Sequence, residues 1–331
     1  IQKDLDDGID TIGKKMTVCQ LYAKQMRHRG NVRYNTKNGR KRLMKLLEED
    51  KLGGCPIDSV KLSDAKEWAI RMKEKGISYK TISNDKRSLK AAFYTAIQDD
   101  CIRKNPFDFQ LNTVIEDDTE PKVPLTPAQE ESFLSFAQND KVYQKYYDEL
   151  IILLGTGLRI SELCGLTDTD IDFENRIINV DHQLLRSAET GYYIETPKTK
   201  SGIRQIPMSE KVYEAFNRVL KRRRGAKAVT IDGYSNFLFL NRDGYPKTAT
   251  NYDGMFRGLA KKYNKYHEEA LPKVMTPHTL RHTFCTNMAN AGMNPKALQY
   301  IMGHSNITMT LNYYAHATFD SAKAEMLRIA A

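Results

Sequence analysis

The sequence lacks several features that would each indicate a particular class of protein. Its 331 residues contain no apolar run near the roughly 18 residues that a membrane-spanning helix requires. No signal peptide is visible at the N-terminus. No Gly-rich loop ends in Gly-Lys-Ser or Gly-Lys-Thr, the pattern that cradles nucleotide phosphates. A soluble globular protein that does not hydrolyse ATP is therefore expected.

Cysteine is scarce and shows no paired spacing. The five cysteines form no Cys-x-x-Cys pair, which favours a reducing cytosolic compartment over a disulfide framework. The seven histidines form no His-Glu-x-x-His motif, and no cluster of His, Cys, Asp and Glu has the spacing of metal ligands. We therefore expect no metal and no other cofactor.

Positive charge is in excess and is unevenly distributed. The net charge is +10, and residues 1–115 contain 24 Lys and Arg against 15 Asp and Glu. Residues 116–331 are nearly balanced, with 27 basic against 26 acidic residues. A basic domain favours a polyanionic partner, of which DNA and RNA are the commonest.

The N-terminal part predicts a polar tail, residues 1–15, and a small helical domain, residues 16–115. Apolar residues at three- and four-residue spacing predict four helices, with glycine or proline between them. The predicted helices are Val18–Arg27, Asn38–Glu49, Ser63–Lys75 and Ser78–Asp99.

An acidic segment with two prolines, residues 116–124, predicts a linker. Thr126 as N-cap and Pro127 at the first helical position then predict the start of a second domain, residues 125–318. The fold class is expected to be α+β, mostly helical with a small antiparallel sheet. The sheet is predicted from Arg176–Val180, Tyr192–Thr196 and Arg204–Met208, with a further strand at Phe237–Leu240.

Two segments of the second domain place arginine at the start of a helix. In Gly155-Thr-Gly-Leu-Arg-Ile-Ser-Glu-Leu163, a glycine turn precedes Arg159, and Glu162 lies on the same helix face. In Thr276-Pro-His-Thr-Leu-Arg-His282, His278 and Arg281 lie in a first helical turn, which favours an anion. Taken singly, the first segment is more typical of a surface ion pair, and the second is typical of a capped helix start with incidental polar residues.

Two further segments contain other groups capable of chemistry. His304 is followed by the adjacent Tyr313 and Tyr314, whose side chains diverge by about 100° on a helix, so only one can face a given site. Lys200 lies among small polar residues in a predicted hairpin turn, a position suited to a mobile proton donor, and Lys198 is the alternative.

Together these segments resemble the signature of the tyrosine recombinase family. The family pattern is an arginine before x-x-Glu-Leu, a hairpin lysine, His-x-x-Arg, Gly-His and then a tyrosine. The chain contains them in that order: Arg159, Lys200, His278 with Arg281, His304, and the tyrosine pair. The resemblance spans about residues 120–316, and the N-terminal part is similar to the core-binding domain. It is closest to integrases of conjugative transposons and related phages.

The resemblance implies a site-specific recombinase that cuts and rejoins DNA through a 3′-phosphotyrosine and so integrates or excises a mobile element. Tyr314 is expected to be the nucleophile because Tyr314-Ala-His316 matches the family's Tyr-x-His, with Tyr313 the alternative. Arg159 and Arg281 are implied to neutralise the phosphate, with His278 and His304 as donors or proton acceptors. Lys200 is implied to protonate the leaving oxygen and Glu162 to orient the site. The resemblance implies neither metal nor ATP.

The expected partner is double-stranded DNA. The segment Ser78–Lys90 is the candidate groove-facing helix, and its basic residues are Lys80, Lys86, Arg87 and Lys90. The family resemblance also implies a homo-tetramer on two DNA sites. The predicted helical tail, residues 319–331, is expected to dock on a neighbouring protomer.

Two other functions remain possible for a basic DNA-binding chain. A metal-dependent transposase or nuclease could use Asp168, Asp170 and Asp172, although solvated acids are the usual explanation of such a run. A DNA-binding regulator without catalysis would need none of the arginines and tyrosines described above.

Overall fold

The structure is a computed structural model, and it describes residues 15–30, 32–120, 123–223, 229–314 and 326–327. The chain divides into two compact units, Ile1–Pro121 and Lys122–Ala331. This division lies within the segment 116–124 for which a linker is predicted. None of the described helices combines the length and the apolarity needed to cross a bilayer.

The first unit confirms the four predicted helices. They are α1 (Val18–His28), α2 (Tyr34–Glu48), α3 (Leu62–Glu74) and α4 (Tyr79–Gln98). Thr17 is the N-cap of helix α1, and its side chain accepts a hydrogen bond from the Gln20 backbone, while the Gln20 side chain accepts one from the Thr17 backbone. Such a reciprocal capping box satisfies two amide groups that would otherwise lack a partner.

The core of this unit contains a cluster of aromatic side chains. The ring of the fully buried Phe107 lies 5.7 Å from that of Trp68 and 5.4 Å from that of Phe93, measured between centroids. Two buried carboxylates, Asp50 and Asp85, each accept two hydrogen bonds from one arginine, Arg71 and Arg42 respectively. Burial of the opposite face of α4 in this core directs Lys80 and Arg87 to the surface.

The second unit is mostly helical. Its helices are α5 (Pro127–Asn139), α6 (Tyr147–Thr156), α7 (Ile160–Gly165), α8 (Glu210–Arg223), α9 (Ala249–Tyr266), α10 (Pro277–Asn290), α11 (Pro295–Met302) and α12 (Thr308–Leu311). Helix α6 packs against both α8 and α10. It is apolar on more than one side, as a helix at the centre of a unit must be, with Leu150, Ile152 and Leu153 fully buried.

The strands form two separate sheets. Strands β1 (Ile171–Asp172), β2 (Ile177–Val180) and β5 (Arg204–Pro207) form an antiparallel sheet in the order β1-β2-β5. Strands β3 (Gln183–Ser187) and β4 (Gly191–Glu195) form a hairpin of their own.

The prediction of the sheet is therefore wrong for one of its three strands. The strand predicted at Tyr192–Thr196 pairs with Gln183–Ser187, a partner that the sequence analysis did not identify. The hairpin forms because Ser187 Oγ accepts a hydrogen bond from the Thr190 backbone and Gly191 adopts a φ of 72°, a left-handed value that glycine tolerates. The expected strand at Phe237–Leu240 is also wrong, since this segment makes isolated bridges only.

These pairings also correct the expected conformation around Lys200. Strand β4 belongs to one sheet and β5 to the other, so the residues between them are not a hairpin turn. Lys200–Gly202 instead forms a short 3₁₀ turn that enters β5.

Candidate active site

Arg159 is positioned by a sharp change of chain direction. Helix α6 ends at Gly157, whose φ of 63° is left-handed, and Arg159 then caps the N-terminus of α7. A Cβ at residue 157 would lie 2.5 Å from the ring of Phe284, so the position requires glycine for space as well as for backbone conformation.

Glu162 holds Arg159 in place without covering it. The backbone N–H and Nη1 of Arg159 donate to the two carboxylate oxygens of Glu162, at 2.9 and 2.7 Å. Nη2 donates to the carbonyl of Gly303 at 3.0 Å. The side chain of Arg159 is 37% exposed and that of Glu162 3% exposed, so the arginine can still meet an anionic ligand.

Arg281 lies beneath the same turn, in the first turns of α10. Its Nη1 donates to the carbonyl of Gly157 at 2.5 Å, and its Nη2 donates to the carbonyl of Met302. Burial, together with the charge of Arg159, lowers the pKa of Arg281 to about 9. The guanidinium therefore remains charged at neutral pH and contributes positive potential to the site.

His304 follows the left-handed Gly303 that ends α11. Its Nδ1 lies 2.9 Å from the hydroxyl of Thr310. Burial lowers the pKa of His304 to about 4, aided by the charges of Arg281 and Arg159. The imidazole is therefore neutral at pH 7 and can both donate and accept a hydrogen bond.

Arg204 belongs to the same network and was not identified from the sequence. Its Nη1 and Nη2 donate to the two oxygens of Glu162, at 3.1 and 2.9 Å. Burial alone would raise the pKa of the Glu162 carboxyl, but the hydrogen bonds and charge of Arg204, with the charges of Arg159 and Arg281, lower it to about 2. The available sequence signal was that Arg204 lies two residues before Ile206 in a strand, so that a charged side chain shares the buried face with an apolar one.

A cavity of about 340 Å³ opens beside this network. Its wall includes Arg159, Glu162 and His304 together with Lys198. Lys200, the lysine favoured by the sequence analysis, is exposed on the adjoining turn and is not among the residues that line the cavity.

The two adjacent tyrosines have different environments. The hydroxyl of Tyr313 lies 2.5 Å from Nδ1 of His282, whereas the hydroxyl of Tyr314 donates to the carbonyl of Met293 at 2.5 Å. Burial raises the pKa of Tyr313 to about 12, although the charge of Arg281 opposes this increase. Burial also raises the pKa of Tyr314, with no contribution from an arginine.

His278 and His282 occupy successive turns of one face of α10. His278 is exposed, and its ring meets that of His282 edge to face at 4.6 Å between centroids. His282 was not identified from the sequence. Its position four residues after His278 and next to Arg281 was the available signal.

The four candidate DNA-binding cations differ in exposure and contacts. Lys80 and Arg87 are exposed on α4. Lys86 lies 4.4 Å above the ring of Phe109, and Lys90 donates to Asp108 at 2.5 Å. Lys80 and Arg87 are thus the more accessible pair.

Two of the three carboxylates of the metal-dependent alternative, Asp170 and Asp172, serve local structure. Asp170 accepts hydrogen bonds from the backbone and hydroxyl of Thr167. Asp172 accepts bonds from the backbone and side chain of Asn175. In the part of the chain that is described, Asp170 lies close to Asp181 and His182 rather than joining Asp168 and Asp172 in a cluster of ligand atoms.

Comparison with protein families gives a match over most of the second unit. The model described as the phage integrase family matches residues 124–321. The transposase from transposon Tn916 of Enterococcus faecalis is 69% identical over 329 residues, which is 99% of this chain and 81% of that protein.

Solved structures resemble both units. The Tn1549 transposon integrase with a circular intermediate DNA has a TM-score of 0.91 and 78% identity, covering 95% of this chain and 99% of that one. The same integrase with transposon right end DNA has a TM-score of 0.90 and 78% identity, covering 96% and 100%. Each of these two structures carries one substitution, arginine to lysine in the first and tyrosine to phenylalanine in the second.

Proposed function

The chain belongs to the phage integrase family of tyrosine recombinases, and on this basis we propose which of its residues perform each chemical step. It is a site-specific recombinase that cleaves and rejoins DNA strands through a 3′-phosphotyrosine and so integrates or excises a mobile element. DNA is its partner.

Arg159, Arg281 and His304 would bind the scissile phosphate. The observation that carries this assignment is their common anchor, because Arg159 bonds the carbonyl of Gly303, Arg281 bonds that of Met302, and His304 follows directly. Two guanidinium groups held at one turn can neutralise the charge that develops on the phosphate oxygens. Glu162 would keep Arg159 in that position. His278 would add a hydrogen-bond donor to the phosphate at the exposed edge of the site.

Tyr313 would be the nucleophile, in preference to the Tyr314 favoured by the family motif. Its hydroxyl contacts His282 and experiences the charge of Arg281, whereas the hydroxyl of Tyr314 is engaged by a backbone carbonyl. The two positions substituted in the Tn1549 integrase structures also support this choice. Their separation along that chain equals the separation of Arg159 from Tyr313 here.

In the cleavage step, the oxygen of Tyr313 would bond to phosphorus while the bond from phosphorus to the 5′ oxygen breaks. His282 would orient the tyrosine hydroxyl and accept its proton. Lys198 would protonate the leaving 5′ oxygen, because it lines the cavity with Arg159 and His304, whereas Lys200 does not.

Lys80 and Arg87 on α4 would contact DNA phosphates and contribute to the affinity for the duplex. Lys86 and Lys90 would contribute less. We also propose a homo-tetramer on DNA in the bacterial cytoplasm, assembled through the predicted tail 319–331. Most of this tail lies outside the described residues. Met326 and Leu327, which are described, are 72% and 64% exposed, in keeping with apolar side chains that a neighbouring protomer would cover.

The test is covalent capture on a nicked DNA substrate carrying the attachment site, with EDTA in excess. The wild type, Tyr313→Phe and Tyr314→Phe are compared by the shift of the protein on a denaturing gel. We expect an adduct from the wild type and from Tyr314→Phe, and none from Tyr313→Phe. An adduct lost only in Tyr314→Phe would transfer the nucleophilic role to that residue, and an EDTA-sensitive adduct would contradict the mechanism.

A further inference from the structure

Arg204 has the most enclosed guanidinium of the site network. Its side chain has no exposed surface, and it points from β5 into the second unit. Besides its two bonds to Glu162, it donates through Nε to the carbonyl of Ile301 at 2.5 Å and through Nη1 to that of Gly202 at 3.0 Å. One planar group therefore joins three separate segments of the chain.

The first of these segments contains Lys198. Gly202 closes the turn after the lysine, because its backbone N–H donates to the carbonyl of Thr199 at 2.9 Å. Gly202 also packs on Pro197, since a Cβ at residue 202 would lie 2.3 Å from the Cβ of that proline. By holding Gly202, Arg204 fixes the chain on both sides of Lys198.

The other two segments contain His304 and Arg159. Ile301 lies in the last turn of α11, and a Cβ on Gly303 would lie 3.1 Å from Nη1 of Arg204, so the guanidinium supports the turn before His304. Glu162 accepts hydrogen bonds from both Arg204 and Arg159 and so links the two arginines. The lysine turn and the phosphate-binding groups thus share one buried anchor.

Stability alone is a weak explanation for this arrangement. A buried ion pair gains little over apolar side chains of the same volume, because removing both charges from water opposes their attraction. Two of the four bonds of Arg204 go to backbone carbonyls of segments that carry site residues. These two bonds balance no charge, and they fix the positions of those segments instead.

We propose that Arg204 is a positioning residue that sets the place of Lys198 relative to Arg159 and His304. This inference rests on the proposed function, and specifically on Lys198 as the proton donor. Arg204 touches no reacting atom, and its effect is exerted on the departure of the 5′ oxygen.

A sulfur leaving group separates this role from a general structural one. When the bond from phosphorus to the 5′ oxygen breaks, the alkoxide must receive a proton from the lysine. A 5′ thiolate departs without a proton, because a thiol has a pKa of about 8.5, far below that of an alcohol. A variant whose defect is a misplaced proton donor should therefore recover on DNA with sulfur at the bridging 5′ position.

The experiment measures the rate of covalent adduct formation on matched oxygen and sulfur substrates. The variants are Arg204→Lys, Arg204→Gln, Lys198→Ala and Lys200→Ala. Arg218→Gln is the control, because Arg218 also bonds a buried carboxylate, Asp148, but contacts no residue of the site. Thermal melting and binding of the uncleaved DNA monitor folding in each variant.

We expect Lys198→Ala and both Arg204 variants to be slower on oxygen by on the order of 100-fold, the usual contribution of a general acid, and to approach the wild type on sulfur. Lys200→Ala and Arg218→Gln should match the wild type on both substrates.

The outcomes distinguish the inference from the function on which it rests. If sulfur does not rescue Lys198→Ala, the lysine assignment itself fails. If sulfur rescues Lys198→Ala but not Arg204→Lys, or if Arg204→Lys is not slowed, the positioning role is overturned. Arg204→Lys keeps a positive charge beside Glu162, so it decides the matter if Arg204→Gln does not fold. Failure of both to fold would make Arg204 a residue of the fold alone.

Discussion

Tyr313 meets His282 through a hydrogen bond of 2.5 Å between its hydroxyl and Nδ1 of the imidazole. The neighbouring Tyr314 directs its hydroxyl to the carbonyl of Met293 instead. A carbonyl accepts a hydrogen bond but cannot remove a proton at neutral pH, whereas an imidazole can. The hydroxyl of Tyr313 therefore contacts a group that can take up its proton, whereas the hydroxyl of Tyr314 contacts one that cannot.

This contact predicts that the kind of side chain at residue 282 controls the rate of cleavage. The carbonyl oxygen of an asparagine side chain can occupy roughly the position of Nδ1 and accept the hydrogen bond of the tyrosine hydroxyl, whereas that of glutamine reaches farther. Neither amide can take up the proton, so we expect both variants to be slower in adduct formation, His282→Asn by about 100-fold and His282→Gln by about 1000-fold. Equal losses, with DNA binding unchanged, would show that the Nδ1 contact does not matter.

The second prediction concerns the turn that presents Arg159. Gly157→Ala should lower the free energy of unfolding by about 2–4 kcal/mol, because alanine is strained at the left-handed φ and collides with Phe284. Gly292→Ala is the matched control. Gly292 is also left-handed, with φ of 79°, but has open space around it, so about 1 kcal/mol is expected. Urea unfolding measures both, and similar losses would contradict the steric argument.

The third prediction is a pH dependence of stability that arises from His304. Its pKa is about 4 in the folded protein against 6.5 for the ordinary group, so the unfolded chain binds more protons between these values. Stability is then fully present above about pH 6.5 and decreases as the pH falls toward 4, by about 2 kcal/mol at pH 5.

His304→Gln tests this dependence because it removes the titrating group. The variant should show a flatter profile of unfolding free energy between about pH 7.5 and pH 5. Glu162 does not interfere, because its lowered pKa of about 2 confines its contribution to pH values below about 4.5. A wild type whose stability is constant over this range would contradict the prediction.

The fourth prediction concerns DNA binding by α4. Lys80→Ala and Arg87→Ala should each weaken binding and reduce the slope of log affinity against log salt by about 1, as expected when one phosphate contact is lost. Lys90→Ala should have a smaller effect, because Asp108 already engages that ammonium group. Fluorescence anisotropy over a salt series measures the slopes. A Lys90 variant as impaired as the other two would contradict the assignment.

Several features could be predicted from the sequence because they depend on neighbouring residues. The N-cap at Thr126 followed by Pro127 acts through hydrogen bonds within one turn. The helices of the first unit follow from apolar spacing along a single segment. The order of arginine, lysine, histidine and tyrosine carries the family resemblance and needs no contact to be recognised.

Pairing between distant segments could not be predicted in the same way. Strand β4 was expected beside β2 or β5, and it pairs instead with β3, to which a short turn joins it. Every residue of β4 is half-buried, so its pattern of burial favours no particular partner strand and the choice depends on the whole unit.

The sequence by itself determined the family, the order of the reacting groups and the basic character of the first unit. Tertiary structure decided the different surroundings of the two members of each neighbouring pair. Lys198 and Lys200, like Tyr313 and Tyr314, have similar chemistry and differ in direction, and direction depends on what packs behind them. Arg204 shows the same principle, because its four acceptors come from three segments that only the folded chain brings together.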